Sequence, residues 1–367
     1  MALICGISPD AWGDGDLVSG TDSGGPLTAQ GWTVATAPSG TCTIATSARH
    51  PGPGYGGSDK VFAFSGGNWG DRYRKLLSPA LWAPQADGIL CFHFLDSGTS
   101  TALSYDWTFA SLYAGAQEVA RLVRKTTGVV EQWYWTGSAM ALKQTSTATI
   151  TNGSWCTVAL HFATDAASGG QGRIQLSIDG ATAQDSGAFT MGSALSWDAL
   201  RLWGVGWGYH RFTQIAVYDD PSADNALTTP KWIACLRPDS DAASGSFTGG
   251  FAEVDEVNYS AADEASTTTN PDEIRFGVTS STIDPAWSPP TIDGVVPVIT
   301  ATGEGTLATI KPVISSASGA SKVTGAALTN TTTPKTQALI AHTADPATSG
   351  AWTTALIDGL EFGMATP

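Results

Sequence analysis

The sequence has little charge and no long apolar run. Charged residues make up 14% of the 367 residues, whereas an ordinary soluble protein has roughly 25%. Abundant Gly, Ser, Thr and Ala disfavour long solvated helices and favour short strands joined by turns. No run approaches the roughly 18 to 20 apolar residues of a membrane span, and the opening Met1–Cys5 lacks the cationic start of a signal peptide. We therefore expect a chain that is made in a cytosol and is not inserted in a membrane.

Positive charge is scarcer than negative charge. The chain has 18 Lys plus Arg against 33 Asp plus Glu, a formal net charge of −15. A polyphosphate would be repelled by such a surface rather than steered to it. This balance argues against a nucleic-acid partner and predicts a solvated acidic surface.

Cysteine and histidine show no spacing typical of a metal centre. The five cysteines include no CxxC pair, and the five histidines are scattered. Cys91 and Cys156 lie in strand-like segments, where we expect buried free thiols rather than disulfides. No cofactor is predicted. Calcium is the one metal considered, because oxygen ligands are offered, without a ligand loop of recognisable spacing, by Asp14, Asp16, Asp219 and Asp220.

Two short motifs invite a catalytic interpretation that their context does not support. The segment Asp22–Leu27 resembles the nucleophile segment of chymotrypsin-like serine proteases, yet no histidine precedes Ser23 to act as its base. The segment Glu253–Glu256 resembles the start of the laminarinase-like glycoside hydrolase signature, but Asn258 stands where the second glutamate is needed. We predict that the protein is not an enzyme, with hydrolysis as the distant alternative.

Alternating apolar and polar residues predict an all-β fold. In Arg173–Gly180, apolar residues alternate with polar ones before an Asp-Gly pair, which is typical of a β-hairpin. Leu200–Gly204 and Arg211–Asp220 are predicted to be the next antiparallel strands. Ile89–Leu95, apolar on both faces, is predicted to be a central strand. Roughly a dozen such segments at regular spacing predict a β-sandwich or jelly roll.

The composition changes after Leu236. We predict a jelly roll over residues 1–237, an extended and partly structured polar arm over 238–294, and a small β domain for anchoring or assembly over 295–367. The arm is rich in Asp, Glu, Ser and Thr, and strand-like alternation resumes from Val296.

The chain contains 14 tryptophans. Aromatic side chains stack on sugar rings in many lectin-like sandwiches, and they are also enriched at subunit interfaces. The candidate contacts for a carbohydrate or a neighbouring subunit are Trp203, Trp207, Tyr209, Trp133 and Trp135. The glycines of Gly204–Gly208 are predicted to permit a bulge or a close backbone approach rather than to cradle a phosphate.

The order of these segments resembles a concanavalin A-like, laminin G-like jelly roll. The resemblance is carried by the Ile174–Gly180 hairpin and by the final strand Val217–Asp220. With the segments that follow, the whole order is similar to that of virion proteins of tailed bacteriophages. Those later segments are Cys235–Asp239, Val254–Glu256, Asp345–Thr348, Ala351–Thr353 and Leu360–Gly363.

The resemblance implies a non-enzymatic structural component of a phage particle, in the tail, a fibre or a decoration. It implies a homo-oligomer in contact with other virion proteins, located in the virion after synthesis in the host cytoplasm. The alternative is an adhesin that attaches to the host by binding surface glycans through the jelly roll.

Overall fold

A computed structural model describes most of the chain. The described residues are 3–7, 33–35, 41–46, 60–65, 74–78, 80, 82–96, 106–167, 169–181, 184–204, 210–219, 231, 233–234, 236–254, 264–269, 271–280, 291–301, 309–316, 321–329, 335–338 and 341–366. The chain forms two compact units. The first contains Met1–Pro9, Gly15–Thr46 and Lys60–Ile233, and the second contains Asp10–Asp14, Ser47–Asp59 and Ala234–Pro367.

The first unit contains an eight-stranded antiparallel sheet, called sheet A. Its main order is β13-β12-β11-β6-β15-β4-β3, and β1 pairs with β15 beside β4. The strands are β1 (Leu3–Ile7), β3 (Thr41–Thr46), β4 (Lys60–Ser65), β6 (Asp87–Asp96), β11 (Trp155–Ala163), β12 (Arg173–Ile178), β13 (Gln184–Asp185) and β15 (His210–Tyr218). Strand β6 is buried along almost all of its length, which confirms the prediction of a central strand there.

A seven-stranded antiparallel sheet, called sheet B, completes this unit. Its order is β10-β9-β8-β7-β14-β5-β2. The strands are β2 (Thr33–Ala35), β5 (Arg74–Leu77), β7 (Trp107–Ala114), β8 (Gln117–Arg124), β9 (Val129–Trp135), β10 (Met140–Thr149) and β14 (Ala199–Gly204). Together the two sheets form the predicted jelly-roll sandwich.

Aromatic side chains from both sheets meet in the core. Phe94 of β6 packs on Phe109 of β7 with ring centroids 5.0 Å apart, and on Phe212 of β15 at 4.9 Å. All three are fully buried. Burying a phenylalanine contributes roughly 1.5–3 kcal/mol through the area removed from water, so this cluster is a main source of the attraction between the sheets.

A buried ion pair also joins the sheets. Arg124 Nε lies 3.2 Å from Asp96 Oδ2, and each side chain is 2% exposed. His210 Nε2 lies 3.3 Å from Asp96 Oδ1, while the His210 ring stacks on Trp107 at 4.0 Å. Arg124 also donates a hydrogen bond to the carbonyl of Ile150. The cation comes from sheet B and the carboxylate from sheet A.

The predicted Asp-Gly hairpin is confirmed. Asp179 and Gly180 both have positive φ, 54° and 68°, the backbone of a type I′ turn. The amide of Ala181 closes the turn on the carbonyl of Ile178 at 3.1 Å. Beyond the turn, β13 pairs with β12.

Two other predicted strand neighbours lie in opposite sheets. The segments after the hairpin, predicted to be consecutive strands, are β14 in sheet B and β15 in sheet A. Strands β2 and β3, near the start of the chain, are likewise divided between sheet B and sheet A. Both sheets have an apolar inner face. Alternation therefore shows which side of a strand faces the core, but not which of the two sheets the strand joins.

The second unit has its own antiparallel sheet, called sheet C. Its order is β16-β17-β23-β19-β20, with β21 also paired to β19, and a separate pair joins β18 to β22. The strands are β16 (Ser240–Ala243), β17 (Glu273–Gly277), β18 (Val298–Ala301), β19 (Thr309–Ser316), β20 (Ser321–Thr324), β21 (Leu328–Thr329), β22 (Lys335–Ala338) and β23 (Glu361–Ala365); a short helix, α1, spans Thr354–Ile357.

The range 238–294, predicted as a polar arm, contributes β16 and β17 to sheet C. Strand β17 pairs along its whole length with β23 from the C-terminal range 295–367. The two ranges therefore share one sheet. The division between units falls between Ile233 and Ala234, a few residues before the predicted boundary at 237.

Candidate functional site

The candidate site is the outer face of sheet B. Along β9, Val130 and Gln132 point into the sandwich and are buried, whereas Glu131, Trp133 and Trp135 alternate with them and are half-buried. The two-residue period of a strand places these three side chains on one side of the sheet. That side faces away from the core.

A row of outward side chains crosses five strands of this face. Leu142 of β10 lies opposite Trp133, which lies opposite Arg121 of β8. The row continues to Ser111 of β7 and Arg201 of β14. Three strand steps of about 4.8 Å separate Trp133 from Arg201, a span of about 14 Å. Leu142 is 46% exposed, so the row ends in accessible apolar surface beside Trp133.

Hydrogen bonds fix the orientation of two tryptophans on this face. Trp203 donates from Nε1 to Ser111 Oγ at 2.7 Å, and Trp133 donates from Nε1 to Glu131 Oε2 at 3.1 Å. Glu131 also lies 3.2 Å from Lys125 Nζ. With their N–H groups engaged by the protein, these rings keep a fixed position, and ordering them again on binding costs little entropy.

Arg201 stacks on a tyrosine of the neighbouring strand. Its Cζ lies 3.9 Å from the centroid of the Tyr113 ring, a cation–π contact. Burial and the nearby charge of Glu118 raise the pKa of Tyr113 to about 12, partly offset by Arg201 and Arg121. The phenol therefore stays neutral across the physiological pH range.

The remaining charges of the face are arranged in pairs. Arg121 contacts Glu118 on the same strand, and Lys125 contacts Asp106. The hydrogen bond with Asp106 raises the pKa of Lys125, and the pKa of Asp106 is lowered in turn. This face of the sheet thus carries ion pairs as well as aromatic rings.

Three of the five predicted contact residues lie on this face: Trp133, Trp135 and Trp203. Trp207 and Tyr209 lie outside the described residues. Sequence reasoning missed Tyr113, Arg121 and Arg201. Alternation was the available signal, because Arg201 and Trp203 alternate with the buried Leu200 and Leu202 and so lie on the other side of β14.

The close approach predicted at the glycine-rich segment is present at Gly204. A Cβ placed there would lie 2.6 Å from Cγ of Phe64 in sheet A. Only a residue without a side chain allows the two sheets to come this near. Residues 205–209 lie outside the described residues.

The other residues considered from the sequence have structural roles where they are described. Cys91 and Cys156 are buried free thiols, as predicted. His161 is buried with its ring nitrogens 2.5 Å from Gln175 Oε1 and 2.6 Å from Asp87 Oδ1. Glu253, from the hydrolase-like motif, accepts a hydrogen bond from the amide of Gly250 in a short 3-10 helix. Ser23 and the motif's other carboxylates are not among the described residues.

Metal and membrane sites were sought in the described part of the chain. There, no group of three or more His, Cys, Asp or Glu side chains is arranged to hold a metal ion. Of the aspartates considered for calcium, only Asp219 is described. Within the same residues, no helix has the length and apolar character needed to cross a bilayer.

No protein-family model matches the sequence, and no curated protein matches it. Solved structures are similar at low identity. An endo-β-1,4-glucuronan lyase from Trichoderma reesei is 14% identical with a TM-score of 0.38, covering 55% of this chain and 95% of that one. The T. cruzi calreticulin globular domain is 9% identical with a TM-score of 0.39, covering 60% and 90%. The carbohydrate-binding module CBM66 from Bacillus subtilis is 13% identical with a TM-score of 0.31, covering 52% and 96%. Similarity at this level carries no argument about activity or ligand.

Proposed function

We propose that the first unit is a binding module that holds a glycan on the outer face of sheet B. The observation that carries this proposal is the row of aromatic and polar side chains from Trp133 to Arg201, with Trp203 and Tyr113 beside it. Sugar rings present C–H faces that pack on aromatic rings and hydroxyls that bond to charged and polar groups. The row spans about 14 Å, which suits an oligosaccharide rather than a single sugar.

The fixed orientation of the tryptophans supports binding. Trp133 and Trp203 are held by hydrogen bonds to Glu131 and Ser111, so the platform exists before the ligand arrives. Preorganised groups lose less entropy on association. The proposed role is binding and not catalysis.

The test is titration calorimetry of the full chain against glycans chosen from an array. Trp133→Ala should weaken binding by about 2 kcal/mol, about thirtyfold, the usual effect of losing a tryptophan anchor. Trp155→Ala removes a half-buried tryptophan of sheet A and is the matched control. Binding that is unchanged in Trp133→Ala, or equally weakened in Trp155→Ala, would remove the proposal, as would an array without any ligand.

The second candidate function is assembly within a virion, which the resemblance to virion proteins of tailed bacteriophages implies. One observation favours an assembly role: β16 and β20 end the described order of sheet C, and most of their residues are exposed. Terminal strands offer unpaired backbone groups to another chain. Light scattering on the purified chain tests for a homo-oligomer, and labelling of intact phage particles tests the location. A monomer that is missing from particles would contradict this candidate.

A further inference from the structure

Arg201 differs from the other described cations of the outer face of sheet B. Arg121 contacts Glu118, and Lys125 contacts Asp106 and Glu131. Among the residues that the structure describes, Arg201 has no carboxylate within ion-pair distance. The Nε atoms of Arg201 and Arg121 are both shielded from solvent without a hydrogen-bond partner there, so the missing carboxylate is what distinguishes Arg201. Its contact is the ring of Tyr113.

This arrangement is unusual in a chain with a net charge of −15. A partly buried guanidinium loses hydration, and a counter-charge normally restores the loss. The Tyr113 ring lies against the guanidinium, with its centroid 3.9 Å from Cζ. A guanidinium edge matches a carboxylate in geometry, because two parallel N–H donors meet two oxygens.

We infer that the glycan of the proposed function is acidic, and that Arg201 binds a sugar carboxylate. This inference rests on the proposed function. The carboxylate sits about 14 Å from Trp133, by strand spacing. One sugar therefore stacks on Trp133 while another, about two rings along, places its carboxylate at Arg201. The uronic acids and the sialic acids are the two sugar classes that supply this group.

The experiment compares acidic oligosaccharides with their neutral methyl esters. Trigalacturonate represents the uronic acids and sialyllactose the sialic acids, and each is titrated into the full chain beside its own methyl ester. We expect at least one acid to bind about ten- to hundredfold tighter than its ester, the usual effect of a charge-assisted hydrogen bond. The preference should shrink as salt rises from 50 to about 300 mM, because salt screens exposed charges.

Variants assign the effect to one residue. Arg201→Gln should abolish the preference for the acid while the ester binds within about twofold of wild type. Arg201→Lys keeps the charge without the planar fork and should retain part of the preference. Arg173→Gln is the control, since Arg173 forms an exposed ion pair with Asp185 in sheet A. Near-UV circular dichroism of each variant establishes that the sandwich is intact.

The outcomes separate the inference from the proposed function. Equal affinity for acids and esters, or a preference that survives Arg201→Gln in a folded protein, would overturn the inference and leave glycan binding standing. The same preference lost in Arg173→Gln would attribute it to net charge and also overturn the inference. Failure of every glycan, acidic or neutral, would remove the proposed function and the inference together.

Discussion

Removing Arg124 should destabilise the sandwich far more than removing an exposed arginine. In Arg124→Met the carboxylate of Asp96, 2% exposed, loses the guanidinium that lies 3.2 Å away. Breaking one side of a buried ion pair costs about 3–5 kcal/mol, because the remaining charge stays desolvated. The hydrogen bond from Arg124 to the Ile150 carbonyl is lost as well. We expect a total of about 4 kcal/mol.

The assay is equilibrium unfolding in urea, followed by near-UV circular dichroism. With a denaturant slope of about 3 kcal/mol per molar, a loss of 4 kcal/mol lowers the midpoint by about 1.3 M. Arg173→Met is the control, since its exposed pair with Asp185 is worth less than about 1 kcal/mol. The double variant Asp96→Asn, Arg124→Met should recover at least about 1 kcal/mol of the loss, because it removes the buried negative charge that Arg124 no longer balances.

Two results would refute this reasoning. If the urea midpoint of Arg124→Met were as close to wild type as that of Arg173→Met, the Arg124–Asp96 pair would not stabilise the packing of the two sheets. A double variant less stable than Arg124→Met alone would mean that the loss comes from packing and not from the buried carboxylate left without Arg124.

Three further predictions concern the two units separately. Burial opposes the ionisation of Asp345, but hydrogen bonds from Ser316 and Thr348 hold the pKa of Asp345 below its ordinary value. The ionised carboxylate therefore stabilises the fold fully above the unfolded pKa of about 3.9, and this stabilisation is lost as pH falls through the folded pKa. Urea midpoints between pH 5 and pH 2 should therefore fall less steeply in Asp345→Asn than in wild type, and an equal slope would contradict this. Gly204→Ala should lower the free energy of unfolding by about 1–3 kcal/mol through overpacking against Phe64, and an unchanged urea midpoint would show that Phe64 moves aside freely. Burial raises the pKa of the Cys5 thiol to about 12, so alkylation followed by mass spectrometry should modify Cys5 only after denaturation; rapid labelling of native protein at pH 8 would show that this strand opens.

The sequence predicts those features that depend on neighbouring residues. The turn at Asp179 and Gly180 is local, since both positions need the positive φ that Gly and Asp tolerate. The buried strand β6 follows from apolar residues on both faces. By contrast, β10 was not predicted, because this edge strand is mostly polar and, among its residues, buries only Ser146.

The candidate site was only partly predictable for a related reason. The composition drew attention to tryptophans, and Trp133 and Trp203 do share one face. Their common location depends on β7 and β8 lying between β9 and β14, an order set by pairings distant in the sequence. The stacking of Arg201 on Tyr113 depends on the same order, so no local pattern identifies it.

The pairing of β1 with β15 has a consequence for how the chain is made. Leu3 lies opposite Tyr218, and a ribosome that adds about 5–20 residues per second needs roughly 10–40 s to produce the second partner after the first. During that interval β6 also waits for both of its neighbours, β11 and β15. Unpaired strands on one nascent chain can join those of another. The yield of folded protein should therefore be highest when few copies are synthesised at once.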